Sequence, residues 1–136
     1  MSPSTQAVAA VVSKPDAMAR KLNLKIRDEL KQMPDLTVHL IGQRLLNRAE
    51  IRFLYRHIIR IPDYPEIESF MVMAPVEILR VSGPEAGERM EKFKKEFRER
   101  HKLPVPFFPD LKPESQNLVH ACSDPRELAI LLRPIR

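Results

Sequence analysis

The chain has 136 residues, 43% of them hydrophobic and 30% charged, and a formal net charge of +5. This is one domain's worth of sequence, and we expect a single domain over residues 1–136 with a core that needs no staples. The lone cysteine, Cys122, excludes an internal disulfide, and no apolar run nears the roughly 20 residues of a membrane-spanning helix, so no membrane insertion is expected.

Residues 1–6 lack the basic stretch that opens a secretory signal, which points to an intracellular protein. Thirteen prolines against three glycines then punctuate the chain. Residues 7–12 are continuously apolar and stop at Lys14-Pro15-Asp16, as a buried central strand does. Leu22, Ile26, Leu30 and Met33 recur at helical spacing, and that helix ends before Pro34. Residues 36–46 read as a second strand, with Leu36, Val38 and Leu40 on its apolar side. Asn47 with Glu50 three residues later is a capping signal for a helix that buries Ile51, Leu54, Tyr55 and Ile58. Residues 64–73 read as a further helix with Ile67, Phe70 and Met71 inward, and residues 75–81 as a third strand.

Residues 85–102 are densely charged, with Met90, Phe93 and Phe97 as one apolar edge of a helix. Prolines exclude regular structure from residues 104–113. Leu118-Val119-His120 is a short fourth strand, and Asp124, Pro125 and Glu127 open a last helix. The skeleton is βαββαβ with extra helices. It predicts an α+β fold, a ferredoxin-like antiparallel sheet covered by helices.

Four local features, in this order and spacing, resemble the nucleoside diphosphate kinase family. They are Lys14-Pro15-Asp16 after the first strand, Tyr55 on the helix after the second, Ala74-Pro75 opening the third, and Asn117-Leu118-Val119-His120 followed by Ser123-Asp124. The resemblance implies phosphoryl transfer between nucleotides through a phosphohistidine, with Mg²⁺ entering on the nucleotide. It makes His120 the nucleophile position, Lys14 a neutraliser of γ-phosphate charge, Tyr55 a phosphate-side hydrogen-bond donor and Asn117 a sugar contact. The base-stacking position falls at Asp63-Tyr64, where Tyr64 is the residue able to stack.

The sequence also departs from the family. Ala121 replaces its glycine, and Cys122 intrudes before Ser123-Asp124. No acid stands in the stretch 129–132, where the family has a glutamate that orients the histidine, and Glu127 is the nearest carboxylate. The phosphate-clamping residues find no one-to-one match, although Arg89, Arg98 and Arg100 lie in the right segment. Loss of one such donor costs about a hundred- to a thousandfold in rate. The expectation is therefore a divergent, degenerate member that serves as a structural or interaction subunit of a larger assembly. An organellar ribosome or an axoneme is the class of assembly expected, with a mitochondrial or ciliary location. The alternative is an active kinase working through phospho-His120. Arg89, Lys92, Lys95, Arg98, Arg100 and Lys102 form the basic face expected to meet protein subunits, RNA or another acidic surface. His39, His57, His101 and His120 are scattered without metal-ligand spacing, so no metal site is expected.

Overall fold

The computed structural model describes residues 7–135, so the reading of residues 1–6 lies outside the described residues. The elements run β1 (Ala7–Ser13), α1 (Pro15–Ala19), α2 (Leu22–Lys31), β2 (Thr37–Arg44), α3 (Arg48–Leu54), α4 (Tyr64–Val72), β3 (Val76–Gly83), α5 (Ala86–Arg100), β4 (Val119–Cys122) and α6 (Pro125–Leu131). Short 3₁₀ turns occupy Arg56–Ile58 and Pro113–Ser115. The four strands form one antiparallel sheet in the order β2-β3-β1-β4, the ferredoxin-like arrangement expected from the skeleton.

The apolar run of β1 is explained by its central place. Ala9 and Val11 face one layer, where Ile26 and Leu30 of α2 and Met90, Phe93 and Phe97 of α5 close over the sheet. Ala10 and Val12 face the other, against Ile51 and Leu54 of α3, Phe70 and Met71 of α4, and Leu131 of α6. Both faces are therefore dry, and a strand without alternation is what such a sheet requires. Each large side chain buried in these layers contributes about 1.5–3 kcal/mol.

Local signals fix the helix ends. Asn47 Oδ1 accepts from Glu50 N at 2.8 Å while Glu50 Oε1 accepts from Asn47 N at 2.9 Å, a complete capping box. Asp124 accepts from Arg126 N at 2.8 Å and opens α6. Gly83 sits at φ +146°, with Asp35 O and a Leu36 methyl in the space a Cβ would need, so β3 ends on a glycine for steric reasons.

Strand β2 departs from its expected alternation. Leu40 pairs with Leu79 and Gly42 with Ile78, so Ile41 is the extra residue of a β-bulge. The bulge turns Ile41 toward the α3/α4/α6 layer and leaves Leu40 45% exposed on the edge strand. An apolar pattern cannot report such a one-residue insertion.

Candidate functional site

The site is built where β4 begins. Leu118 is a buried non-glycine residue at φ +69°, a conformation that costs on the order of 1 kcal/mol or more. Three hydrogen bonds hold it there. Lys14 N donates to Leu118 O at 2.9 Å, Val119 N donates to Asn117 O at 2.8 Å, and Leu118 N donates to Asp16 Oδ2 at 3.1 Å. The Lys14-Pro15-Asp16 turn after β1 therefore clamps the residue between Asn117 and the strand that carries His120.

This clamp brings Lys14 and Asn117 together. Lys14 is 2% exposed, and its Nζ donates to Asn117 Oδ1 at 2.6 Å. Burial, reinforced by the charges of Arg98 and Lys94 and opposed by Asp16, pushes its ammonium down to about 7. Burial likewise raises the Asp16 carboxyl, whose Oδ1 has no hydrogen-bond partner among the described residues. Arg98 of α5 completes the cluster. Its Nε donates to Asn117 O at 3.0 Å and its Nη2 to Val119 O at 2.7 Å. Asp16, Arg98 and Asn117 line a cleft of about 300 Å³ whose rim includes Pro104, Val105 and Phe107.

His120 opens elsewhere. It pairs with Val12, so its ring points into the α3/α6 layer, and a separate cleft of about 370 Å³ contains it together with His57, Lys94, Cys122 and Glu127. The Tyr55 ring lies against the imidazole, with centroids 5.4 Å apart. His120 Nε2 is buried without a hydrogen-bond partner among the described residues. Glu127 Oε1 approaches it to 4.0 Å, close enough for a charge effect and too far for a hydrogen bond. Burial, then the charges of Lys14, Lys94, Arg98 and His57, push the imidazole down to about 3, so it is neutral at every ordinary pH.

Cys122 stands two residues along β4 on the same face as His120. Burial, together with the nearby Glu127 carboxylate, pushes its thiol up to about 12. One ligand atom from each of His120, Cys122 and Glu127 falls within 4.8 Å of the others. Sequence spacing could not reveal this trio, because α6 supplies one member across the sheet face. Glu127 Oε2 is held by Arg56 at 3.1 Å, which leaves Oε1 for the trio.

Of the five residues singled out in sequence, Lys14 and Asn117 are joined, while Tyr55 and His120 form a second pair. Tyr64 joins neither. It is 6% exposed, its hydroxyl donates to Glu68 Oε1 at 3.0 Å, and Arg48 and Arg52 bond the same carboxylate, so its ring is part of the α3–α4 packing. Among the three arginines considered as phosphate clamps, only Arg98 reaches the site. Arg89 donates to Pro34 O at 3.0 Å, and Arg100 pairs with Glu29 at 3.0 Å. Segment 103–113 folds back over α4. Phe108 packs edge-on to Phe70, Gln116 brackets the Phe108 backbone, and Lys112 N donates to Glu66. No helix among the described residues is long and apolar enough to cross a membrane.

No protein-family model matches the sequence, and no curated protein matches it. The structure, in contrast, superposes on nucleoside diphosphate kinases. The enzyme from Aquifex aeolicus aligns at TM-score 0.69 and 19% identity over 94% of this chain and 96% of that one. The Halobacterium salinarum enzyme, solved with CDP, aligns at TM-score 0.70 and 19% identity over 92% and 86%. The Encephalitozoon cuniculi enzyme aligns at TM-score 0.64 and 14% identity over 96% and 94%. The chain has the nucleoside diphosphate kinase fold.

Proposed function

From a chain with that fold, we propose a nucleoside diphosphate kinase-like domain that has given up phosphoryl transfer and serves as a protein-interaction subunit of a larger assembly. One observation carries the reading. The parts that must converge on a single nucleotide open into two clefts. Asn117 lines the cleft under the proline-rich segment, His120 lines the cleft under α6, and Arg98 is seated on the backbone between them. An in-line transfer needs nucleophile, cations and substrate held within about 3–3.5 Å. Here the Lys14 ammonium donates to Asn117, and Arg98 donates to two carbonyls.

The surface supports the interaction role. Leu103, Val105 and Phe107 are 40%, 68% and 43% exposed, on a segment whose other side is bonded to the body. A tethered loop that displays apolar side chains costs little ordering entropy on docking, which suits a protein partner. The basic face favours nucleic acid less, since Arg89, Arg98 and Arg100 are engaged within the chain.

The opposing reading, an active kinase, draws support from the neutral imidazole of His120 and its contact with Tyr55. Incubation with Mg²⁺ and γ-labelled ATP separates the two. We expect no acid-labile label on the wild-type chain above that on His120→Asn. Stoichiometric label that vanishes in His120→Asn overturns the proposal. Native extracts are expected to show the protein in a large complex, and elution as a free monomer counts against the interaction role.

A further inference from the structure

The geometry points to a divalent transition-metal site, best suited to Zn²⁺, formed by His120 Nε2, Cys122 Sγ and Glu127 Oε1. Four observations meet there. First, the donor set is an imidazole nitrogen, a thiol sulfur and a carboxylate oxygen, which suits a borderline-soft ion and not the oxygen-seeking Mg²⁺ or Ca²⁺. Second, the spacing is close to closed. Bonds of about 2.0–2.3 Å to a tetrahedral ion put ligand atoms about 3.3–3.8 Å apart. Here Nε2 and Oε1 are 4.0 Å apart, and one ligand atom from each of the three residues lies within 4.8 Å of the others. Small side-chain rotations on a strand and a first helical turn close that gap.

Third, His120 Nε2 is buried with no hydrogen-bond partner among the described residues, an unfavourable arrangement that a metal bond removes. Fourth, the surroundings fit the charge that results. The ion displaces the Cys122 proton, which leaves through the open cleft to solvent. Zn²⁺ with one thiolate, one carboxylate and a neutral imidazole is a neutral assembly. It sits among Lys94, Arg56 and Lys14, where a net positive ion complex would be repelled. Arg56 holds Oε2 of Glu127 and fixes the orientation of its ligating oxygen, as outer partners of metal ligands do.

The fourth coordination position faces the cleft, where His57 lies on the wall and water has access. Three protein ligands and one open position can hold a structural ion capped by His57 or one that carries water. In either case the metal engages the imidazole that the active-kinase reading needs as its nucleophile.

Co²⁺ is the probe. The chain has one cysteine, so a thiolate-to-Co²⁺ charge-transfer band in the near ultraviolet can come from Cys122 alone. We expect reduced, chelator-treated protein to bind Co²⁺ one to one, with that band and intense visible bands of tetrahedral coordination, and Zn²⁺ to displace it. Cys122→Ser is expected to lose the charge-transfer band, and His120→Asn and Glu127→Gln to weaken binding at least tenfold. Circular dichroism establishes that each variant is folded. If Cys122→Ser does not fold, protection of the wild-type thiol from alkylation by Zn²⁺ reads the same contact. Absence of the band at micromolar protein and metal, or a band that survives unchanged in both His120→Asn and Glu127→Gln, overturns the site.

Discussion

Two polar clusters sit back to back on the sheet, one residue apart along β1. Ser13 pairs with Glu77 and Val12 with His120, so Glu77 lies under α2 and His120 under α6. The Glu77 carboxylate is fully buried, yet Arg27, Gln43 and Asn23 all donate to it. Those donors hold it below the usual carboxylate range against the opposing effect of burial. The buried His120 Nε2 has no hydrogen-bond partner among the described residues. A saturated buried charge is architecture, pinning α2 and β2 to the sheet. An unsaturated buried nitrogen marks a place where something else can bind.

The comparison breaks first at Glu77. Glu77→Leu strands the Arg27 guanidinium and the Asn23 and Gln43 amides beside an apolar side chain, and loss of one partner from a buried pair typically costs about 3–5 kcal/mol. We expect about 3 kcal/mol from urea denaturation, with Arg27 recovering part of its hydration because its side chain is 27% exposed. A variant within 1 kcal/mol of wild type (on the order of the scatter for surface substitutions) would remove Glu77 from the architecture.

Lys14 is the next largest effect, and it appears as a pH dependence. Its folded pKa, about 7, lies below the ordinary 10.5. Between those values the unfolded chain binds more protons than the folded one, so stability rises with pH through that window. The gain from Lys14 between pH 7 and 9 is about 2 kcal/mol, since each unit is about 1.4 kcal/mol and the group is still half titrated at pH 7. Lys14→Met abolishes this rise, and its stability against pH 9 and pH 7 buffers should differ by about 2 kcal/mol less than that of the wild type. Parallel curves for the two proteins would place a hydrated, ordinarily titrating ammonium at position 14.

Much of this architecture was legible in the sequence because it rests on local chemistry. The capping box at Asn47, the Asp124 cap, the unalternating β1 and the proline-rich segment each act over a few residues. Helix α1 was not visible, because Pro15–Ala19 is too short to show a period, and Lys21 in the left-handed region separates it from α2. The site was half legible. Lys14 and Asn117 meet because they flank the paired strands β1 and β4 at the same end. The role of Glu127 was hidden because its reach depends on how α6 crosses β4, and Cys122 read as an intrusion instead of a neighbour of His120. Tyr64 was drawn from its position to a base-stacking role, but the arginines of α3 had already recruited it through Glu68.

The smallest predicted effect is the most discriminating, because it applies the Glu77 substitution to the other cluster. In metal-free protein, His120→Leu removes a buried nitrogen that no group satisfies and replaces the imidazole with a side chain of similar volume. The unsatisfied atom costs about 1–3 kcal/mol in the wild type, whereas the packing of the imidazole against Tyr55, which leucine does not reproduce, is worth about 0.5–1.5 kcal/mol. The two nearly cancel, so His120→Leu should lie between neutral and about 1 kcal/mol more stable, opposite in sign to Glu77→Leu. Zn²⁺ reverses the ranking. It raises the wild-type unfolding midpoint through the folded state it binds and leaves His120→Leu where it was. Should His120→Leu cost as much as Glu77→Leu in the absence of metal, His120 would already be satisfied by water or by Glu127, and the two faces of the sheet would be alike.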